Sequence, residues 1–284
     1  MYLQEILYRL VQRGVSNLPK DVEGALKLAY GREKNTIARA NLGLILKNVA
    51  LARRTSTPIC QDTGVPVFYV SIGRRCDHVF DVEGELKHAV RNATHKSLLR
   101  PNIVDPISRI NSNDNSGGGM PVIHYSLFDG NHIEITYVPK GAGTENMASL
   151  HMLKPSSGEK EIEELVLKRV KTMGGRPCPP YILGIGIGGT SERALELAKT
   201  ASIRQIGKKN HDPKIRKFEN RLLSRVNSTG IGPMGLGGKT TALAVHIESA
   251  YCHTATMPVG IALSCWADRR ASIALRRHGH AWMD

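Results

Sequence analysis

The turn Pro58-Ile59-Cys60-Gln61-Asp62-Thr63-Gly64 places a cysteine two residues before a carboxylate. In extended backbone, side chains at positions i and i+2 point to the same side, so Cys60 and Asp62 would face one site. Two more cysteines have unusual neighbours far along the chain: Cys178 lies between two prolines, and Cys265 is followed by Trp-Ala-Asp-Arg-Arg. If all three thiolates bind one centre, the fold has to bring these distant segments together.

The composition is that of an ordinary globular protein with a large positive charge. The chain has 284 residues, of which 41% are hydrophobic, and a net charge of +14. Such a charge suggests nucleic acid, but only 5% of the residues are aromatic and the basic residues are scattered. We therefore expect no nucleic-acid function. The surplus charge is more consistent with a solvated surface, an acidic partner subunit or an anionic substrate.

Compartment and domain organisation follow from what the sequence lacks. It has no secretion-signal segment and no run of about 18 apolar residues, so we expect no membrane span. Five cysteines without a signal segment argue against a disulfide framework and favour a reducing cytoplasm. No segment resembles a linker. We expect one domain over residues 1–275, followed by a tail over 276–284.

Hydrophobic periodicity predicts an α/β protein with a mixed sheet and many helices. A polar loop over 111–119 leads to two strands, 121–128 and 132–138, which flank Asp129-Gly130 and are predicted to form a hairpin. Other strands are expected at 65–72, 181–187 and within 242–265. Helices are predicted at 2–13, 19–31, 34–54, 81–99, 157–173, 190–203 and 213–228.

Three short motifs suggest other functions. Gly184–Gly189 fits G-x-G-x-x-G, but the strand and helix alternation of a dinucleotide fold is not evident around it, and close strand–helix packing explains the glycines equally well. Gly238-Lys239-Thr240 resembles a P-loop, but Pro233 stands where the first glycine is needed. Asp62-Thr63-Gly64 is the aspartic protease triplet, yet only one copy is present. We assign none of these functions.

Three cysteines suit an iron–sulfur cluster with one open iron. Cysteine thiolates hold such clusters, and four ligands make a closed site for electron transfer. Three ligands on a 4Fe–4S cluster leave one iron able to act as a Lewis acid. Dehydration of a 2-hydroxy acid needs that help and also a base beside the carboxylate. Taken singly, each cysteine is more consistent with a buried inert thiol, the commonest state of a free cysteine.

Six motifs in the same order resemble the class I, iron–sulfur fumarate hydratase family. They begin at Cys60, Leu99, Lys140, Cys178, Ile231 and Cys265 and read CQDTG, LRP, KGAGTEN, CPP, IGPMGLGG and CWADRR. The resemblance runs from about residue 20 to 275. It implies the fold of that family's N-terminal domain, in the form of the α subunit of a two-chain enzyme.

The resemblance implies the following site residues. Cys60, Cys178 and Cys265 would hold the 4Fe–4S cluster, with Cys265 preferred to Cys252 because it begins the CWADRR motif. Substrate would contact Gln61, the Arg100 guanidinium and the Gly143 backbone, while Asp62 and His253 would be catalytic. Two alternatives stay open at this point: Asp62 also suits a turn-capping role, and His253 also suits a structural one.

The implied activity is reversible dehydration of (S)-malate to fumarate, a reaction of the tricarboxylic acid cycle. The related L(+)-tartrate dehydratase α subunit is the alternative. Further substrate residues of the family belong to a second part that this chain lacks, so we expect a β subunit, an α2β2 assembly and no activity of this chain alone. A non-catalytic basic binding protein and an iron–sulfur sensor remain competing hypotheses.

Overall fold

The computed structural model describes residues 3–77, 80–277 and 279–283. The chain forms two compact units, each assembled from separate segments. The first unit comprises Met1–Pro19, Asn48–Ala142 and Arg269–Asp284, and the second comprises Lys20–Lys47 and Gly143–Asp268. This division differs from the single domain expected over 1–275. Its physical basis is strand pairing between segments that are distant in sequence.

The helices agree closely with the predicted ones. Helices α1 to α8 span, in order, Leu3–Ser16, Lys20–Arg32, Thr36–Thr55, Val82–His95, Ala142–Glu145, Glu159–Met173, Ser191–Ser202 and Pro213–Asn227. The ends have local causes. For example, the carboxylate of Asp212 accepts a hydrogen bond from the Lys214 amide, and Pro213 fits the first turn of α8.

The described part of the chain also contains nine strands, four of which follow the last helix. Strands β1 to β9 span, in order, Val65–Gly73, Val122–Phe128, Ile133–Lys140, Ser149–Leu153, Tyr181–Ile187, Ala242–Ser249, Met257–Ser264, Ala271–Arg276 and Gly279–Met283. They form two mixed sheets, one in each unit. The α/β prediction with mixed strand pairing is therefore confirmed.

The first unit contains a five-stranded sheet in the order β2-β1-β3-β8-β9. Only the β1–β2 pair is parallel. Helices α1 and α4 contribute Leu10 and Leu86 to a core that also contains Phe68, Ile135 and Ile273 from the sheet. The absence of a side chain at Gly14 allows α1 to approach the sheet closely, because a Cβ atom there would lie 2.4 Å from the Tyr137 ring.

The predicted hairpin of 121–128 and 132–138 is wrong. Strands β2 and β3 exist, but each pairs with β1, which lies between them. The loop that joins them passes the end of β1, where the Gly73 amide donates to the His132 carbonyl and the Arg75 amide donates to the Gly130 carbonyl. A Cβ atom on Gly73 would lie 2.5 Å from the Gly130 backbone, so glycine permits this crossing.

The second unit contains a four-stranded sheet in the order β4-β7-β5-β6. Side chains alternate across it, as the period of two in a strand requires. Odd-numbered residues of β5 and β7, such as Ile185 and Ile261, enter a core with Val166 of α6 and Leu222 of α8. This core covers one face of the sheet.

Helix α7 covers the opposite face, and glycines make its close approach possible. A Cβ atom on Gly184 would lie 2.1 Å from the Ala198 carbonyl oxygen, and one on Gly186 would lie 1.9 Å from that of Ala194. Gly260 of β7 meets the same Ala194 oxygen. Strand–helix packing therefore accounts for the first two glycines of the G-x-G-x-x-G motif.

Residues expected to form a tail contain strand β9. Gly279–Met283 pairs with β8 in antiparallel register, and the guanidinium of Arg13 lies 4.4 Å from the Trp282 ring centroid. The pairing explains the order, because the unpaired edge of β8 provides backbone donors and acceptors. Among the described residues, no helix has both the length and the apolar character needed to cross a bilayer.

Candidate functional site

The Cys60–Gly64 turn connects α3 to β1 in the first unit. Two hydrogen bonds fix its start: the Ile59 amide donates to the Val15 carbonyl (3.0 Å), and Asn48 Nδ2 donates to the Ile59 carbonyl (2.8 Å). Cys60 is half-buried. Gly64 ends the turn with φ +82°, and a Cβ atom there would lie 2.7 Å from the Pro139 backbone. Both the conformation and the space therefore require glycine at this position.

Asp62 has a carboxylate of fixed orientation. Its Oδ1 accepts from the Gly64 amide (2.9 Å), and its Oδ2 accepts from the Ala142 amide at the start of α5 (2.8 Å). The turn-capping role left open by the sequence is therefore observed. It does not exclude a catalytic role, because each carboxylate oxygen can accept a second hydrogen bond and the residue is half-exposed.

A buried arginine supports the same turn from inside the first unit. Arg269, which is 3% exposed, donates from Nη2 to the Asp62 carbonyl (3.0 Å). Its Nε and Nη1 atoms have no hydrogen-bond partner among the residues that the structure describes. Burial raises the pKa of Tyr137 well above its ordinary value, and the positive charge of Arg269 partly offsets that rise. Tyr137 is thus a neutral phenol within the electrostatic reach of Arg269.

Arg100 is also in the first unit and presents an exposed side chain. Its backbone amide donates to Thr63 Oγ1 (3.0 Å), which connects it to the Cys60–Gly64 turn. Its backbone carbonyl accepts from Asn115 Nδ2 (2.8 Å). Among the described residues, the guanidinium has no ion-pair partner. The structure therefore places Arg100 next to the turn that contains Gln61 and Asp62.

Cys178 and Cys265 lie on adjacent segments of the second unit. The Trp266 amide donates to the Cys178 carbonyl (3.1 Å), so the residue after one cysteine is bonded to the other cysteine itself. Both cysteines are half-buried. Cys178 has φ +53°, an uncommon conformation for a residue other than glycine and one that recurs at functional sites.

The glycine-rich segment 232–238 supports the Cys178 loop. The Met234 amide donates to the Pro179 carbonyl (2.7 Å), and Gly175 approaches Gly235 so closely that a Cβ atom would be 3.0 Å from its Cα. Gly143 is near the same loop, since a Cβ atom on it would lie 3.4 Å from the Arg176 carbonyl oxygen. The second unit thus brings Gly143, Cys178 and Cys265 into one neighbourhood.

The loop at Gly238-Lys239 does not have the character of a phosphate site. The buried carboxylate of Glu33 accepts a hydrogen bond from the Lys239 amide (2.7 Å). A carboxylate at a backbone amide of the loop repels the negative charge that a P-loop binds. This agrees with the exclusion of ATP binding from the sequence.

Cys252 and His253 lie in an exposed turn before β7, whereas Cys265 follows the last residue of that strand. An eight-residue strand is roughly 26 Å long at about 3.3 Å per residue. The structure therefore supports Cys265, and not Cys252, as the companion of Cys178. His253 Nδ1 accepts from the Ala255 amide (3.1 Å), and no contact joins it to the Cys178 loop in the described structure.

The thiols fit an iron–sulfur cluster by their chemistry. Cys60 belongs to the first unit, and Cys178 and Cys265 belong to the second. Within the residues that the structure describes, no three His, Cys, Asp or Glu side chains form a group that could hold a metal ion. The contacts thus pair two of the predicted ligands, while the grouping of all three stays a prediction from the motifs.

Sequence reasoning missed three residues that support this region: Thr63, Asn115 and Arg269. Thr63 lies inside the CQDTG motif, but a single sequence does not indicate which side chains will bind backbone groups. Asn115 lies in the polar loop 111–119, and nothing in the sequence distinguishes it from the other polar residues there. Arg269 belongs to the CWADRR motif, which was the available clue.

Comparisons with known proteins show the family to which the chain belongs. A family model described as fumarate hydratase (Fumerase) matches residues 4–274. A protein of Methanocaldococcus jannaschii named "Putative L(+)-tartrate dehydratase subunit alpha" is 45% identical over 275 residues, which cover 95% of this chain and 96% of that protein. The L(+)-tartrate dehydratase subunit alpha of Escherichia coli K12 is 32% identical over 272 residues, covering 95% of this chain and 90% of that protein. The chain belongs to the fumarate hydratase (Fumerase) family.

Proposed function

We propose that this chain is the α subunit of an iron–sulfur hydro-lyase that acts on a dicarboxylic 2-hydroxy acid. The observation that carries the proposal is the match to the fumarate hydratase family over residues 4–274. The hydrogen bond from Trp266 to Cys178 supports it, because it joins two motif cysteines that are 87 positions apart in the sequence (265 − 178).

Cys60, Cys178 and Cys265 are the proposed ligands of a 4Fe–4S cluster. When bound, the cluster supplies a Lewis-acid iron. The protein holds Cys178 in a conformation fixed by hydrogen bonds at both its amide and its carbonyl group. A ligand held in this way loses little conformational freedom when it binds metal.

The other predicted residues have complementary roles. The reaction removes a proton next to a carboxylate and a hydroxyl group from the neighbouring carbon, and water leaves. Arg100 would bind one substrate carboxylate, since its planar guanidinium matches that group. Gln61 and the Gly143 backbone would contact the substrate, and Asp62, with its oriented carboxylate, would transfer a proton. A catalytic role of His253 stays a prediction from the resemblance.

Two substrates are in competition. The KGAGTEN and GGKTT motifs of the sequence favour malate and fumarate, whereas the names of the relatives favour L(+)-tartrate.

The names also support a β partner, which we propose completes the site in an α2β2 assembly in the cytoplasm. We expect turnover only after assembly with that β chain. Comparing kcat/KM for (S)-malate and L(+)-tartrate then separates the candidates.

The first test is the iron and acid-labile sulfide content of the chain purified without oxygen. We expect about four irons per chain, retained in Cys252→Ser and lost in Cys265→Ser. An iron-free chain after anaerobic reconstitution would contradict the proposal and favour a basic binding protein. A cluster without turnover of either acid in the assembled complex would favour an iron–sulfur sensor.

A further inference from the structure

We infer that Thr63 is a positioning residue that fixes Arg100 against the Cys60–Gly64 turn. The inference rests on the proposed function for the role of Arg100, and all of its contacts lie in the first unit. Thr63 is 2% exposed, so its side chain does not itself face solvent or substrate. Its hydroxyl oxygen is the contact between the segment with Asp62 and the segment with Arg100.

The Thr63 hydroxyl accepts two hydrogen bonds from the Arg100 segment. The Arg100 amide donates to Oγ1 (3.0 Å), and Asn102 Nδ2 donates to the same atom (3.2 Å). A hydroxyl oxygen has two acceptor sites, so these two bonds use its full accepting capacity. Valine has the same shape and no acceptor. Thr63→Val would therefore leave the Arg100 amide without its partner.

Asn115 holds the Arg100 segment from the other side. It is 1% exposed, and its Nδ2 donates to the Arg100 carbonyl (2.8 Å) and to Thr94 Oγ1 (3.0 Å). Its Oδ1 accepts from the Asn102 amide (2.7 Å). Thr94 is part of α4, so Asn115 anchors the segment to a helix. The Arg100 backbone is thus fixed at its amide by Thr63 and at its carbonyl by Asn115.

This arrangement separates a rigid backbone from an exposed side chain. Pro101 adds to the rigidity, because a residue before proline is restricted to extended conformations. The guanidinium of Arg100 is exposed and has no ion pair within the described residues. A group anchored in this way starts from a defined Cα position beside Asp62. Displacement of such a group by about 1 Å can lower activity strongly.

The kinetic test uses Thr63→Val, with Thr63→Ser as the variant that restores the hydroxyl, in the complex with the β chain. Arg100 would bind the carboxylate in both ground and transition states, so we expect Thr63→Val to raise KM roughly tenfold with little change in kcat. Thr63→Ser should return KM toward the wild-type value. Ser202→Ala, which removes another buried hydroxyl (Oγ to the Lys199 carbonyl, 2.8 Å), is the matched control and should leave KM unchanged.

Iron content and stability are measured on the same samples. A raised KM with wild-type iron content supports positioning. An unchanged KM in Thr63→Val overturns the inference, and so does a loss of kcat and iron together with unchanged KM, since that result indicates a purely structural hydroxyl. A general loss of stability would not give this pattern. Ser202→Ala measures the effect of losing a buried hydroxyl elsewhere in the protein, and it should leave KM unchanged.

A second readout does not require turnover. Arg100 is modified with phenylglyoxal, and protection by (S)-malate or L(+)-tartrate is followed by mass spectrometry of the peptide that contains it. We expect Thr63→Val to need roughly tenfold more dicarboxylate for the same protection. Equal protection in both proteins would overturn the positioning role. If the wild-type complex converts neither acid but the protection shift is found, the proposed function fails and the positioning of Arg100 stands.

Discussion

Glu33 lies in the second unit and has a carboxylate that is 2% exposed and accepts hydrogen bonds from three backbone amides. Oε1 accepts from Lys34 (2.9 Å) and Asn35 (3.0 Å), and Oε2 accepts from Lys239 (2.7 Å). A buried carboxylate is tolerated when hydrogen bonds compensate for its lost hydration. Glu33 therefore connects the start of α3 to the glycine-rich segment that supports the Cys178 loop.

We expect Glu33→Gln to lower the free energy of unfolding by about 1–3 kcal/mol, because an amide nitrogen would face an amide donor. Glu164→Gln is the matched control, since Glu164 is exposed and should change stability by less than about 0.5 kcal/mol. Urea denaturation measures both. Equal free energies of unfolding for the two variants would show that the hydrogen bonds of Glu33 do not stabilise the fold.

His151 gives a prediction on pH dependence. Partial burial and then the positive charge of Arg169 lower the pKa of His151 below its ordinary value. The unfolded chain therefore binds this proton more readily, and the contribution of His151 to stability is lost as the pH falls below about 6.5. We expect His151→Gln to reduce the loss of urea stability between about pH 7.5 and about pH 5.5. An unchanged loss would contradict the assignment.

Residues with distinctive chemistry could be predicted from the sequence better than the residues that hold them in place. Cys178 and Cys265 have distinctive neighbours in the sequence, and a backbone hydrogen bond connects their segments in the structure. Thr63 and Asn115 act through hydrogen bonds to the Arg100 backbone, and any polar residue in a loop could do the same. Such partners depend on which loops meet, and this information is absent from local sequence.

At the level of elements, α7 packs against β5 and β7 without intervening side chains. The closest approach is at Gly186, where the carbonyl of Ala194 and the amide of Ala198 leave no space for a methyl group. The helix and the sheet are therefore in direct backbone contact.

We expect Gly186→Ala to destabilise the protein by at least about 3 kcal/mol, because its Cβ atom would lie 1.9 Å from a backbone oxygen. Gly24→Ala is the control in the same unit. Apart from the backbone of its own helix, no atom lies within 4 Å of its Cβ position, and alanine favours a helix over glycine by about 1 kcal/mol. Thermal unfolding should show the two variants shifted in opposite directions. A mild effect of Gly186→Ala would refute the direct contact.

Element bounds could be predicted from periodicity, whereas strand partners could not. The bounds of β2 and β3 are close to those expected, yet the predicted hairpin is replaced by pairing of both strands with β1. The Asp129-Gly130 turn is compatible with either arrangement. The choice depends on long-range contacts such as Phe68 with Tyr137, whose ring centroids are 4.9 Å apart.

At the scale of the whole molecule, the chain passes four times between two units, after Pro19, Lys47, Ala142 and Asp268. The sequence contains no linker at these points, and two of them fall inside helices α3 and α5. This explains why composition indicated a single domain. The two units are defined by contacts between residues distant in sequence, which linker composition does not indicate.

A chain ending at Asp268 should lose structure selectively. It lacks β8, which pairs with β3 over Ile133–Tyr137 and adds Ile273 and Leu275 to the core of the first unit. The segments of the second unit are all retained. We expect amide hydrogen exchange to show unprotected β1 and β3 with a protected β5. A chain ending at Arg276 is the control, because it loses only the edge strand β9 and should keep β3 protected.

The discontinuity of the first unit has a consequence for synthesis on the ribosome. Helix α1 is translated first, but the sheet that it covers lacks β8 and β9 until these strands emerge, more than 250 residues later. The second unit has all of its sequence by Asp268. The apolar faces of α1 and β3 therefore remain without β8 during most of translation, and a chaperone that binds nascent chains would find them there.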